Sequence, residues 1–161
     1  WVMKRSLLLV PFLGWGLAML RPIAIARGAG REALKQVTDQ GRDRLKRGFW
    51  IVIFPEGTRV APGETGRYGI GGAWLATHTN TQVLPVAHNA GEFWGRNTLR
   101  KFPGTITLSI GAPIDPAGMK PTELNEKVQA WIETEMSKIQ ASGVGHRGKS
   151  GARGGFLTPA P

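Results

Sequence analysis

Phe54-Pro55-Glu56-Gly57-Thr58-Arg59 gathers a guanidinium, a carboxylate and a hydroxyl in one short stretch, directly after the apolar residues Phe49, Trp50, Ile51, Val52 and Ile53. Arg59 is charged at any working pH and offers a fork of donors matched to phosphate or carboxylate. Thr58 adds a neutral donor, Glu56 an acceptor, and Gly57 permits the tight turn that would present them together. A phosphate-bearing, hydroxylated substrate fits this set. The competing reading is a surface turn in which Glu56 and Arg59 pair with each other in water, a contact worth very little.

Where the set points depends on the run before it. Six consecutive apolar residues, 49 to 54, suit a short strand covered on both faces, as in a parallel α/β sheet. Pro55 cannot donate to a ladder, so pairing should stop there and the turn should emerge at the strand's carboxyl end, where open α/β sheets place their ligands. A second strand is expected over 23 to 26, ended by Arg27 and the Gly28-Ala29-Gly30 that follows. Between the two, residues 31 to 46 read as a helix with Leu34, Val37 and Leu45 on one side, closed by Gly48.

Downstream, residues 67 to 78 suit a closely packed helix, rich in Gly and Ala but without the G-x-G-x-x-G order of a dinucleotide turn. Residues 82 to 87 and 105 to 110 read as strands, the second alternating as an edge or half-buried strand does. Between them lie Phe93, Trp94, Arg96, Arg100, Lys101 and Phe102, an aromatic and basic mixture suited to a membrane-facing loop at headgroup level. Residues 122 to 140 form the clearest amphipathic helix, with Thr122 as N-cap and Leu124, Val128, Trp131, Ile132, Met136 and Ile139 as its stripe.

The two ends of the chain differ in character. Residues 6 to 20 are almost wholly apolar, but the run is short for a bilayer span and broken by Pro11, Gly14 and Gly16. A helix that is partly core and partly membrane-facing, with Trp15 at the interface, is one expectation, and a wholly buried helix is the other. From Ser142 onward the composition turns to Gly, Arg, Lys and Pro, so residues 1 to 141 are expected to form the domain and 142 to 161 a disordered basic tail. Its Gly143-Val144-Gly145-His146-Arg147-Gly148-Lys149-Ser150 matches a phosphate loop in letters only, because it follows a helix where a working loop follows a strand.

Composition narrows the chemistry further. The absence of cysteine removes disulfides, thiolate catalysis and Cys-based zinc sites together. His78 and His88 flank the strand at 82 to 87 with no carboxylate or third His beside them, which makes them structural rather than metal ligands. With 21 Lys and Arg against 11 Asp and Glu, the net charge of +10 favours phosphate-rich partners. An anionic membrane surface fits better than nucleic acid, since no base-reading motif accompanies the charge.

The word F-P-E-G-T-R, preceded by Arg21-Pro22-Ile23-Ala24-Ile25-Ala26-Arg27 and followed by Val83-Leu84-Pro85-Val86-Ala87, resembles signature blocks of the PlsC-like lysophosphatidate acyltransferases in their expected order. That resemblance implies a mixed, largely parallel α/β sheet covered by helices, of the glycerol-3-phosphate acyltransferase type. It implies acyl transfer from acyl-CoA or acyl carrier protein to 1-acyl-sn-glycerol-3-phosphate, giving phosphatidate, with no metal or redox cofactor. The substrate-binding residues implied are Phe54, Pro55, Glu56, Gly57, Thr58 and Arg59, with Arg27 from the earlier block. Arg59 and Arg27 would hold the phosphate, and Glu56 the glycerol or the loop itself. Membrane association at the cytoplasmic face of a bacterial inner membrane is implied as well.

Two departures accompany the resemblance. Ala26 stands where the family usually carries an acidic residue before the Arg. The family's catalytic His, with Asp five residues on, has no counterpart, since His78, His88 and His146 are followed at that spacing by Val83, Phe93 and Gly151. The catalytic His and Asp are therefore expected upstream of Trp1, with a degenerate, inactive relative as the alternative. Other readings are an acyltransferase for glycerol-3-phosphate or another lysolipid, and a non-catalytic basic module that binds membrane or nucleic acid.

Overall fold

The structure, a computed structural model, describes residues 2–25, 30–95 and 98–142. Arg27, Arg96 and the tail from Gly143, with its phosphate-loop letters, lie outside the described residues.

The chain is α/β, and its pairing is mixed. Strand β1 (Val2–Lys4) runs parallel to β2 (Ile23–Ile25), with Val2 opposite Ile23 and Met3 opposite Ala24. Between them the chain forms a 3₁₀ turn at Arg5–Leu9 and helix α1 at Leu13–Met19. Helix α2 (Arg31–Lys46) returns across β2, and Gln40 fixes the contact: its side-chain amide accepts from Ala24 N–H and donates to Ala24 C=O, each at 3.1 Å. One side chain thus does for β2 what a neighbouring strand would do. Gly48, at φ +77°, ends the helix region in the left-handed turn that glycine tolerates.

Helix α3 (Gly71–Thr79) follows, then β3 (Val86–His88), the short α4 (Ala90–Phe93), β4 (Leu108–Ile110) and the long α5 (Pro121–Ala141). Strands β3 and β4 are antiparallel, with Ala87 opposite Ser109, and a bridge from Val83 to Ile114 extends the pairing. Pro85 interrupts the strand expected over 82 to 87, and its carbonyl accepts from Gly111 N–H at 2.9 Å. Helix α5 begins at Pro121 with Lys120 as the capping position, so Thr122 sits inside the first turn instead of capping it.

Two buried clusters hold these elements. Ile23, Val37 and Leu75 form one, with Val2, Ile25, Ile51 and Ile53 packed against it. Ala73, Ala76 and Leu124 form the other, with Val83, Ile114, Met119 and Val128 around it. Helix α3 contributes to both. It can do so because its residues on these faces are small: Ala73 and Ala76 meet the second cluster, and Gly72 lies in ordinary contact distance of Ile53.

Three further expectations change. Residues 49 to 54 are not covered on both faces: Ile51 and Ile53 face the first cluster, whereas Trp50 is 83% exposed and Phe54 64%. Only the side toward α2 and α3 is packed among the described residues, and Val2 N–H donates to Val52 O at 3.2 Å instead of a full ladder forming. The stretch 6 to 20 is two short helical pieces, parted where Pro11 precedes Phe12 at φ +60°, and Leu9, Phe12, Trp15 and Met19 are exposed, which rules out a wholly buried helix. In β4 the apolar Leu108 and Ile110 face outward, and Ser109 turns inward to donate to Glu135 at 2.8 Å.

Leu124 is fully buried and Leu99 is 98% exposed. Leu124→Ala should therefore cost about 2–5 kcal/mol of unfolding free energy, against under about 0.5 kcal/mol for Leu99→Ala. Urea titration followed by circular dichroism measures both, and equal losses would misplace the second cluster.

Candidate functional site

The F-P-E-G-T-R stretch leaves the core at Ile53 and doubles back through two backbone bonds. Gly57 N–H donates to Phe54 O at 3.0 Å, with Gly57 at φ +64°, and Gly69 N–H donates to Pro55 O at 2.7 Å. The second bond ties the turn to the residues just before α3, so the loop from 56 to 68 is closed at its base. Thr58 and Arg59 then lie at the surface, where they line a depression of about 440 Å³ with Val60, Ala61, Pro62 and Glu64.

Glu56 and Arg59 part company within this turn. Glu56 is half-buried and lies under Gly66, where an added Cβ would come within 3.3 Å of its Cγ and Oε2. Burial, followed by the neighbouring Glu133 carboxylate, pushes the Glu56 carboxyl above its ordinary range, and His88 partly offsets this. Tyr68, buried beside it, donates its hydroxyl to Glu133, and burial and that bond raise its ionisation well above the usual tyrosine range. Thr65 Oγ1 also donates to Glu133, at 3.0 Å. Thr65 and Tyr68 thus fasten the loop to α5 through Glu133, with the Glu56 carboxyl beside them.

Arg59 goes the other way. Its Cζ lies 4.7 Å from the centroid of the Trp94 ring, a cation–π contact, and the ion pairs among the described residues do not include a Glu56–Arg59 pair. The turn therefore presents its guanidinium without neutralising it. Lys101 stands over the same ring, with Nζ 4.6 Å from the centroid. Tyr68 and Glu133 are the residues that sequence reasoning passed over, whereas Trp94 and Lys101 were expected in a membrane-facing loop. That aromatic and basic mixture at 92 to 103 is partly interior, since Phe93 is buried.

The two described histidines are occupied locally. The His78 ring stacks on Trp74 at 4.0 Å and its Nδ1 lies 2.8 Å from Trp74 O. His88 Nδ1 accepts from Ala90 N–H at 3.3 Å. Neither shows a hydrogen bond to a carboxylate, the orientation a general base would need. The described residues hold no cluster of His, Asp and Glu that could bind a metal ion.

A carboxyl whose native pKa is raised contributes stability below its unfolded pKa and loses it as pH rises through the native value. At neutral pH, then, the charged Glu56 should weaken the fold, and Glu56→Gln should raise the melting temperature, with the gain vanishing toward about pH 4. Thermal melts across that range decide it, and a loss of stability at neutral pH would mean that the carboxylate makes a favourable bond.

Comparison with known proteins identifies the family. The chain is 47% identical over 141 residues to the 1-acyl-sn-glycerol-3-phosphate acyltransferase of Pseudomonas aeruginosa, covering 86% of this chain and 55% of that protein. It is 33% identical over 113 residues to the enzyme of the same name from Borreliella burgdorferi, covering 70% and 45%. In structure it is similar to the crystal structure of the 1-acyl-sn-glycerophosphate acyltransferase PlsC of Thermotoga maritima, with a TM-score of 0.71 and 25% identity over 87% of this chain and 56% of that one. The chain spans about half the length of the curated relatives it matches. The Acyltransferase family model matches residues 1–89, a single span that takes in β1, β2, the F-P-E-G-T-R turn and β3, and the chain belongs to that family.

Proposed function

We propose that this chain supplies the acceptor-binding part of a 1-acyl-sn-glycerol-3-phosphate acyltransferase, and that Arg59 is its phosphate contact. The observation that carries this reading is the sorting within the turn: Arg59 is exposed beside an open depression and in no ion pair among the described residues, whereas the carboxylate of Glu56 is half-buried against Gly66. An unneutralised guanidinium at the surface is what a phosphate headgroup requires. The names of the relatives supply the substrate, a 1-acyl-sn-glycerol 3-phosphate.

In the reaction proposed, the acceptor's free hydroxyl attacks the thioester carbonyl of acyl-CoA or acyl carrier protein. A carbon–oxygen bond forms, the carbon–sulfur bond breaks, the hydroxyl proton passes to a base and the thiol leaves. The base is a His oriented by an Asp, placed by the family resemblance before Trp1, which suits the local engagements of His78 and His88. Arg27, by the same resemblance, is a second phosphate contact, and Glu56 acts on the loop rather than on the glycerol. Neither metal nor redox cofactor enters the proposal.

The partner we propose for the outer surface is an anionic membrane, at the cytoplasmic face of a bacterial inner membrane. The net charge of +10 and the exposed Leu9, Phe12, Trp15, Met19 and Leu20 support contact with lipid. No helix among the described residues is long and apolar enough to cross a membrane.

The test is Arg59→Ala in a protein where a His-x₄-Asp segment precedes this chain. Loss of one charge-assisted contact, about 1.5–3 kcal/mol, should raise KM for the lysophosphatidate acceptor tenfold or more and leave KM for the acyl donor unchanged. Steady-state kinetics with each substrate varied gives the answer, and an unchanged acceptor KM and kcat would remove Arg59 from the site.

A further inference from the structure

The Trp94 ring is held more firmly than an exposed aromatic needs to be. Asn89, 2% exposed, anchors the start of α4 by accepting Thr107 N–H at 2.8 Å on its side-chain oxygen. Phe93, also buried, accepts Phe102 N–H at 2.9 Å on its carbonyl. The indole N–H of Trp94 itself donates to Thr98 O at 2.8 Å. The ring is thus pinned along both its backbone and its edge, yet 42% of the residue remains exposed.

Two cations from different parts of the chain use that ring. Arg59 reaches it from the F-P-E-G-T-R turn at 4.7 Å, and Lys101 from its own loop at 4.6 Å. Attraction to the electron-rich ring holds each of them there, so one aromatic side chain gathers two positive charges. Two gathered cations suit an anion that carries more than one charge, and a phosphomonoester is such an anion.

We propose that Trp94 is a positioning residue that sets Arg59 for the acceptor's phosphate, and that Lys101, gathered on the same ring, is a second cation for that phosphate. This rests on the reading of Arg59 given above. Trp94 acts through Arg59 and Lys101 without touching substrate. A rigid ring restricts a long, mobile guanidinium before the ligand arrives, so part of the ordering cost is met in advance.

The experiment is calorimetric titration of the 161-residue chain with 1-hexanoyl-glycerol 3-phosphate, and with 1-hexanoylglycerol as the phosphate-free control. Trp94→Leu, which keeps apolar bulk but no π face, should weaken binding of the phosphorylated ligand roughly five- to tenfold and leave the control unchanged. Trp94→Phe, which lacks the bond to Thr98 but keeps a ring, should recover most of the loss. Lys101→Met, on an exposed side chain, should weaken binding to a similar degree and flatten its dependence on salt. If Arg59→Ala weakens binding while Trp94→Leu and Lys101→Met do not, this inference falls and the phosphate reading stands. If Leu and Phe at position 94 behave alike, the ring has no electrostatic role and the inference falls as well. If Arg59→Ala itself changes nothing, or the unaltered chain shows no phosphate-dependent binding, the phosphate reading fails and takes this proposal with it.

Discussion

The position of the F-P-E-G-T-R turn depends on how helix α3 packs against both buried clusters. Leu75 points into one buried cluster while Ala73 and Ala76 point into the other, so the helix is the wall the two clusters share. Gly41 of α2 accepts the Leu75 side chain so closely that an added Cβ would lie 2.6 Å from it. Such packing fixes where α3 begins, and with it where Gly69 lies. The bond from Gly69 to Pro55 then fixes the base of the F-P-E-G-T-R turn. A loop anchored to a rigid helix at its base can present an arginine with little entropy left to lose.

Electrostatics within the turn follows from burial rather than from the motif's letters. Glu56 and Arg59 are near enough in sequence to pair, and in water such a pair would form and mean little. Here Glu56 is drawn down beside Tyr68 and Glu133, a place where its own charge is disfavoured. Among the described residues Glu56 and Arg59 form no ion pair, and Arg59 rests on the Trp94 ring instead. If the turn binds phosphate as proposed, function and stability are in tension at Glu56, as at many binding sites built into a fold.

Much of this was legible in the letters. Helix α2 falls on the expected residues 31 to 46, because its apolar period and the closing Gly48 are local signals. The stripe of α5 is likewise visible, and Leu124 and Ile139 are buried as it requires. The F-P-E-G-T-R turn could be found but not oriented. Period and composition show that residues 49 to 54 are apolar without showing that only Ile51 and Ile53 meet the core. Helix α3 starts at Gly71 instead of 67, because Tyr68 and Gly69 are committed to Glu133 and to Pro55, contacts set by tertiary structure. For the same reason the aromatic residues at 93 and 94 divide between core and site, which no local pattern distinguishes.

The central claim is that this turn offers Arg59, free of Glu56, to a phosphate. Nitrogen-15 NMR of the arginine-labelled chain, with the Arg59 Nε–H resonance assigned by its loss in Arg59→Lys, observes that group alone. The account predicts a saturable shift of this resonance on titration with sn-glycerol 3-phosphate and none with glycerol. A resonance that ignores the phosphate, and responds instead to protonation of Glu56, would contradict it.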